Sequence, residues 1–172
     1  MIFFVKPAAK PFSHGHFLIG PRRLSCALGQ HRLTALKFEG DGATPIGTWA
    51  LHYVMYRPDR ERRPETLLPI RAIRPKDGWC DTPDDPNYNR KVVLPYPARA
   101  ERLWREDALY DIVVVLSHNV RPRIRNGGSA IFMHVAKPGY LPTEGCIALR
   151  KPHLRYLLKH SKPGSIVKVL AN

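Results

Sequence analysis

Ser129-Ala130-Ile131-Phe132-Met133-His134 and Pro142-Thr143-Glu144-Gly145-Cys146-Ile147-Ala148-Leu149 are the two stretches on which the reading of this chain turns. The first is a short apolar run that ends in a histidine. The second places a cysteine after a glycine and before another apolar run. A strand over Ala130–Val135 delivers His134 at its end, and a Gly- and Pro-containing loop of eleven residues returns the chain to Cys146. A loop of that length lets thiol and imidazole meet. Imidazole within hydrogen-bond reach turns a thiol of pKa about 8.5 into a thiolate at neutral pH. Gly145 permits a backbone geometry other residues resist, so that amides there can converge on an oxyanion. The same residues also describe a buried structural cysteine beside a satisfied histidine.

Outward from this point the pattern is of strands separated by turns. His16–Ile19, Leu24–Leu28, Leu33–Phe38, Thr48–Val54, Val92–Leu94, Tyr110–Leu116 and Ile166–Leu170 join Ala130–Val135 as β-branched or aromatic runs bounded by Gly, Pro, Asp or Asn. Ile112–Leu116 is continuously apolar and reads as a strand buried on both faces. Gly40-Asp41-Gly42 and Asn126-Gly127-Gly128 mark turns. Two short helices are expected, over Ala98–Glu106 and from about Pro152 to His160; the second aligns Leu154, Leu157 and Leu158 and closes at Pro163-Gly164. From Pro58 to Asn89 the chain is polar and proline-rich, as long loops are. No repeat or linker divides the 172 residues, so one mainly β domain is expected, with mixed sheets and its core in about 15–170.

Composition narrows the function. The 28 Lys+Arg against 14 Asp+Glu leave a formal net charge of +14, which attracts polyanions. The basic residues are scattered, as in Arg57/Arg60/Arg62/Arg63, Arg121/Arg123/Arg125 and Lys151–Lys162, without a nucleic-acid-binding signature, so nucleic acid is not expected as partner. The opening Met1–Val5 run is interrupted at once by Lys6-Pro7, too short for a membrane span or an export signal. Three cysteines without CxxC spacing argue against a disulfide framework or a zinc ribbon. Cys26 and Cys80 read as spectators, His14 and His16 lack further ligands for a metal, and Trp49 and Trp104 read as core.

Thr44-Pro45-Ile46-Gly47-Thr48-Trp49, followed by a histidine strand and then Thr143-Glu144-Gly145-Cys146-Ile147, resembles the YkuD-type L,D-transpeptidase domain. The likeness runs from about residue 15 to residue 170. It implies a β-sandwich-like fold and a cysteine that attacks a peptide bond of a peptidoglycan stem peptide. A thioester would form and pass to the amine of a meso-diaminopimelate on a neighbouring stem. By motif, Cys146 is the implied nucleophile, His134 the base, and the Gly145 and Cys146 backbone the oxyanion hole. The resemblance further implies work in a periplasm; a monomer is expected, with no cofactor, since thiol acyl transfer needs neither metal nor nucleotide.

The sequence departs from the commonest family motif, which has His before Gly-Cys and Arg or Asn two residues after the Cys; here stand Glu144 and Ala148. The His134-to-Cys146 spacing is also shorter. Members of this broad group make 3–3 or 1–3 cross-links, and others hydrolyse stem peptides as carboxypeptidases, endopeptidases or amidases. A non-catalytic basic module binding cell wall or nucleic acid is the alternative of another class. Beyond Thr143, the expected substrate-binding residues are Glu144, which would orient His134 or hold an amine; His118 and Asn119, after the buried strand; Trp79, Tyr88 and Asn89, in the polar loops; and Arg123 and Arg125, as carboxylate receivers. Beside the thiol, the Glu144 charge would oppose ionisation, which calls for a compensating cation.

Overall fold

The computed structural model describes residues 1–171. In chain order its strands are β1 (Ile2–Pro7), β2 (His14–Ile19), β3 (Arg22–Ala27), β4 (Leu33–Thr34), β5 (Thr44–Pro45), β6 (Gly47–Tyr56) and β7 (Ile70–Ala72). There follow β8 (Asp77–Cys80), β9 (Arg90–Val93), β10 (Ala100–Arg102), β11 (Ile112–Leu116), β12 (Phe132–Val135), β13 (Ile147–Leu149) and β14 (Ile166–Val169). One α-helix, α1 (Lys151–Lys159), lies between β13 and β14.

The large sheet runs β11-β12-β13-β3-β2-β1-β14-β6-β7, and β6 also pairs with β11, so eight strands close on themselves with β7 added outside. Closure removes the free edges that an open sheet would present. The class is mainly β with mixed sheets, as the periodicity predicts, though the layers arise from a closed sheet. Inside it Phe3, Phe17, Val54, Val114, Met133, Ile147 and Val167 are fully buried. Leu154, Leu157 and Leu158 of α1 join the same core, so the helix plugs the sheet with its one apolar stripe. Each leucine so buried contributes about 1.5–3 kcal/mol.

Alternation along β11 and β12 serves a second layer. Ile112, Val114 and Leu116 face the first core, while Val113 and Val115 face outward with Phe132, Met55, Trp79, Tyr110 and Leu103. Covering that outer face is the three-stranded sheet β10-β8-β9. Two layers on one strand explain why Ile112–Leu116 carries no polar residue.

Three expectations are corrected. Ala98–Glu106 is not helical: Ala100–Arg102 pairs with Cys80, Trp79 and Gly78, because Leu103 finds its burial against the second core. Local helix propensity yields there to tertiary pairing. Leu33–Phe38 is strand only at Leu33–Thr34, after which the chain turns to carry Lys37 inward. The core also begins earlier than residue 15. Ile2–Pro7 is a central strand, parallel to β14 and antiparallel to β2, with Phe3 and Val5 fully buried. Among the described residues no helix is long and apolar enough to cross a membrane.

Leu157 is fully buried under the closed sheet. Replacing it by Ala is expected to lower unfolding free energy by about 2–5 kcal/mol with an unchanged denaturant slope, measured by urea titration.

Candidate active site

Strands β12 and β13 run parallel, with His134 opposite Ala148 and Met133 opposite Ile147. Side chains alternate along a strand, so Cys146, two residues before Ala148, shares the face of Ala148 and His134. Such diagonal neighbours lie about 7–8 Å apart at the backbone, within reach of side chains. Both residues line one cavity of about 680 Å³, a size typical of ligand sites. Gly145, in the turn before β13, has φ of 127°, a region closed to residues with a Cβ. A Cβ there would stand 2.8 Å from the Ala43 carbonyl oxygen.

The Cys146 loop is pinned from below. Thr143 donates its amide to Leu28 O and accepts at its carbonyl from Gln30 N–H. Its hydroxyl donates to Cys146 O at 2.6 Å and accepts from Gly145 N–H at 3.2 Å. The Thr44-Pro45 turn enters beside it, with Thr44 Oγ1 accepting from Gly29 N–H at 2.8 Å. The two motifs of the sequence thus meet in space.

The thiol and the imidazole are held separately at rest. Cys146 Sγ–H donates to Ala130 O at 3.1 Å, and Phe132 N–H donates to Sγ at 3.4 Å. His134 Nδ1 lies 2.9 Å from Val135 O, and since a carbonyl only accepts, the ring proton sits on Nδ1. Nε2 keeps its lone pair. Burial pushes the Cys146 thiol up to about 12, with Glu101 and Glu144 adding to the rise and Phe132 N–H and Lys37 opposing it. Burial likewise pulls His134 down to about 4. The pair is therefore neutral thiol and neutral imidazole, not the thiolate expected from proximity alone. A base of this kind acts by taking the proton as sulfur attacks.

Around this pair the cavity wall mixes charges. Tyr110 packs edge-on to His134 at 5.5 Å between centroids and donates its hydroxyl to Glu101 at 2.7 Å. Burial raises the Glu101 carboxyl above its ordinary range, against the Tyr110 hydrogen bond and the Arg105 charge. Lys37 and Glu144 also line the wall. Lys37 supplies the cation that the acidic neighbour calls for. It is bonded to Asp41, whose carboxyl burial would raise; the Lys37 bond and the Phe38 and Ala43 amides outweigh this and hold it low. Sequence reading missed Lys37, Glu101, Tyr110 and Ser129 as cavity residues. Topology brings them in from distant segments, and no local motif marks them.

Of the expected substrate contacts, Thr143 and Glu144 line the cavity, and His118, Asn119, Trp79, Tyr88, Asn89, Arg123 and Arg125 lie outside its wall. Asn89 is buried, accepts from Trp79 Nε1–H at 2.9 Å and Ala130 N–H at 3.0 Å, and donates to Asn119 O at 2.8 Å. Trp79 packs on Phe132 at 5.0 Å. Asn119 bridges Ile124 and Gly128 at 2.9 Å each, and His118 Nε2–H donates to Gly127 O at 2.9 Å. Tyr88 donates to Glu39 at 2.5 Å, which ties two loops together at the rim. Arg125 pairs with exposed Asp84, and Arg123 is exposed. Asn89 and Asn119 hold the segment that carries Ala130. Trp49 is partly buried and stacks edge-on against His118. Among the described residues no group of three or more His, Cys, Asp and Glu is placed to hold a metal.

A parallel strand pair here presents a cysteine and a histidine to one cavity, an arrangement suited to cysteine-dependent chemistry. The chain matches the family model of the YkuD L,D-transpeptidase catalytic domain over residues 16–169 and belongs to that family. Among curated proteins and solved structures none matches the chain.

Two outcomes follow from the site. Asn89→Ala leaves Trp79 Nε1 and Ala130 N–H unpaired in the interior and is expected to cost about 2–4 kcal/mol in chemical denaturation. His134 binds its proton less well folded than unfolded, so its contribution to stability is complete above pH 6.5 and is lost as pH falls towards about 4. Wild type is expected to lose about 3 kcal/mol over that window from this group, and His134→Gln to lack that component in pH-dependent unfolding.

Proposed function

We propose that this protein is a cysteine acyltransferase acting on peptidoglycan stem peptides, with Cys146 as nucleophile and His134 as base. The observation that supports this most directly is that both side chains share one sheet face and open on the same cavity. Family membership supplies the substrate class.

In the first half-reaction Cys146 Sγ attacks a stem-peptide carbonyl while His134 Nε2 takes the thiol proton. The amide C–N bond then breaks, the proton passes from His134 to the leaving amine, and a thioester remains on Cys146. Negative charge on the carbonyl oxygen meets the backbone amide of Cys146, the Gly145 N–H being engaged by the Thr143 hydroxyl. In the second half-reaction the amine of a meso-diaminopimelate on another stem attacks the thioester. Its proton passes to His134 and on to sulfur as the C–S bond breaks, leaving an L,D-type cross-link. Water in place of the amine gives hydrolysis by the same route. The polymer lies outside the cytoplasmic membrane, so the enzyme acts there, in a periplasm. The +14 charge suits an anionic wall. The protein acts as a monomer without cofactor.

Incubation with purified muropeptides tests the reading by intact-mass analysis. Wild type is expected to gain the acyl mass on Cys146 and to yield dimers, while Cys146→Ala gains nothing. Trimmed monomers without dimers would establish hydrolysis, and an unmodified wild-type protein would overturn the reading. His134→Gln is expected to slow acylation at least a hundredfold. The wild-type rate should hold from neutral pH down to an acid limb near 4, because only neutral His134 accepts the proton.

A further inference from the structure

Lys37 does not sit on the surface as lysines generally do. Its side chain is 5% exposed. The aliphatic stem crosses the backbone of Gly128, where a Cβ would stand 2.7 Å from Lys37 Cγ, and φ there is 86°. The ammonium ends at the nucleophile turn, 3.4 Å from the position of a Cβ on Gly145. Asp41 accepts one of its three N–H bonds. Next to Gly128 stands Ser129, which is 8% exposed, lines the same cavity and has a hydroxyl without a hydrogen-bonding partner among the described residues. Buried hydroxyls without partners are uncommon, and this one belongs to a residue of the cavity wall. Its neighbour Ala130 is the residue whose carbonyl receives the Cys146 thiol.

A buried cation with N–H bonds to spare and an unpaired buried hydroxyl, both beside the nucleophile, form one concave donor set. We propose that Lys37 and Ser129 form a carboxylate-binding subsite adjacent to Cys146, which seats a carboxylate of the donor peptide. The proposal deepens the acyl-transfer reading and rests on it for the peptide's identity. Asp41 fixes the ammonium and leaves the cavity-side donors to the ligand. An anion in this subsite would bring the scissile carbonyl to sulfur in a fixed orientation. Two sources are open to it: the residue that becomes the acyl group, or the residue that leaves.

The charge preference is measurable without any peptide. Iodoacetate and iodoacetamide alkylate a thiol by the same displacement of iodide and differ in a carboxylate against an amide. The rate ratio of the two at Cys146, followed by peptide mapping, is expected to fall about tenfold in Lys37→Met and severalfold in Ser129→Ala. Lys37→Arg should retain it, and Lys10→Met, an exposed control with the same change of net charge, should leave it unaltered. Lys37→Met/Asp41→Asn removes the buried pair together and provides a folded comparison, checked by thermal melting. Equal slowing of both reagents in Lys37→Met, with an unchanged ratio, would overturn the subsite and leave Lys37 as a modulator of the thiol only. In a second arm, stem peptides amidated at one carboxylate at a time identify the source. One amidation is expected to lower acylation kcat/KM about tenfold in wild type and not in Lys37→Met. Loss of acylation with every peptide would fail the acyl-transfer reading while the haloacetate ratio still decides the subsite.

Discussion

The site depends on the parallel pairing of β12 with β13. With His134 opposite Ala148, a cysteine two residues earlier must fall on the histidine's face. A slip of one residue would send either Cys146 or His134 into the closed sheet and replace it with Ile147 or Met133. That slip is blocked by packing: Met133, Ile147 and Leu149 are fully buried inside, and Phe132 is fully buried outside against Trp79 and Tyr110. Core packing on one face and the second layer on the other thus set the relative position of Cys146 and His134. The short turn can be tight because its register is already decided elsewhere.

Burial has a second consequence. A thiol pushed up to about 12 and an imidazole pulled down to about 4 stay neutral across ordinary pH. Proximity alone would have favoured an ion pair, but in this setting desolvation outweighs it. A neutral thiol is slow towards indiscriminate oxidants and electrophiles. In the proposed reaction the thiol then waits for a substrate that brings its own carbonyl to the sulfur and gives the departing proton somewhere to go. Lys37 opposes, and Glu101 and Glu144 reinforce, the rise that burial imposes on the thiol.

Much of this was legible in the sequence because it is local. The histidine strand, the Gly-Cys turn, the leucine stripe of α1 and the buried run Ile112–Leu116 each announce themselves within a few residues. What was not legible is what long-range pairing decides. Ala100–Arg102 has the look of a helix until Cys80 and Trp79 offer it a ladder. Ile2–Pro7 has no pattern that marks a core strand until β14 returns from the other end of the chain to pair with it. Lys37 lies in an apolar run that reads as strand, and only the turn after Thr34 aims it inward. Trp79, Asn89 and His118 carry binding-type chemistry in sequence. Tertiary structure engages each of them with a neighbour, so side chains suited to a ligand serve the scaffold.

That scaffold explains one unfavourable feature at the centre of the site. Ala130 has φ of 52°, which strains any residue with a Cβ, and Asn89, at φ of 53°, bonds its amide N–H. Asn119, also left-handed at 50°, ties Gly128 to the same turn. Two asparagines therefore hold one alanine in a conformation it would not choose, and the effect is to turn its carbonyl onto the Cys146 thiol. An extended Ala130 would aim that carbonyl elsewhere and leave the buried S–H without an acceptor. The strain orients the sulfur's proton before substrate arrives, and Ser129 is carried into the cavity by the same bend. Asn89 and Asn119, which looked like ligands for a substrate, act one step further back, on the backbone beside the Cys146 thiol.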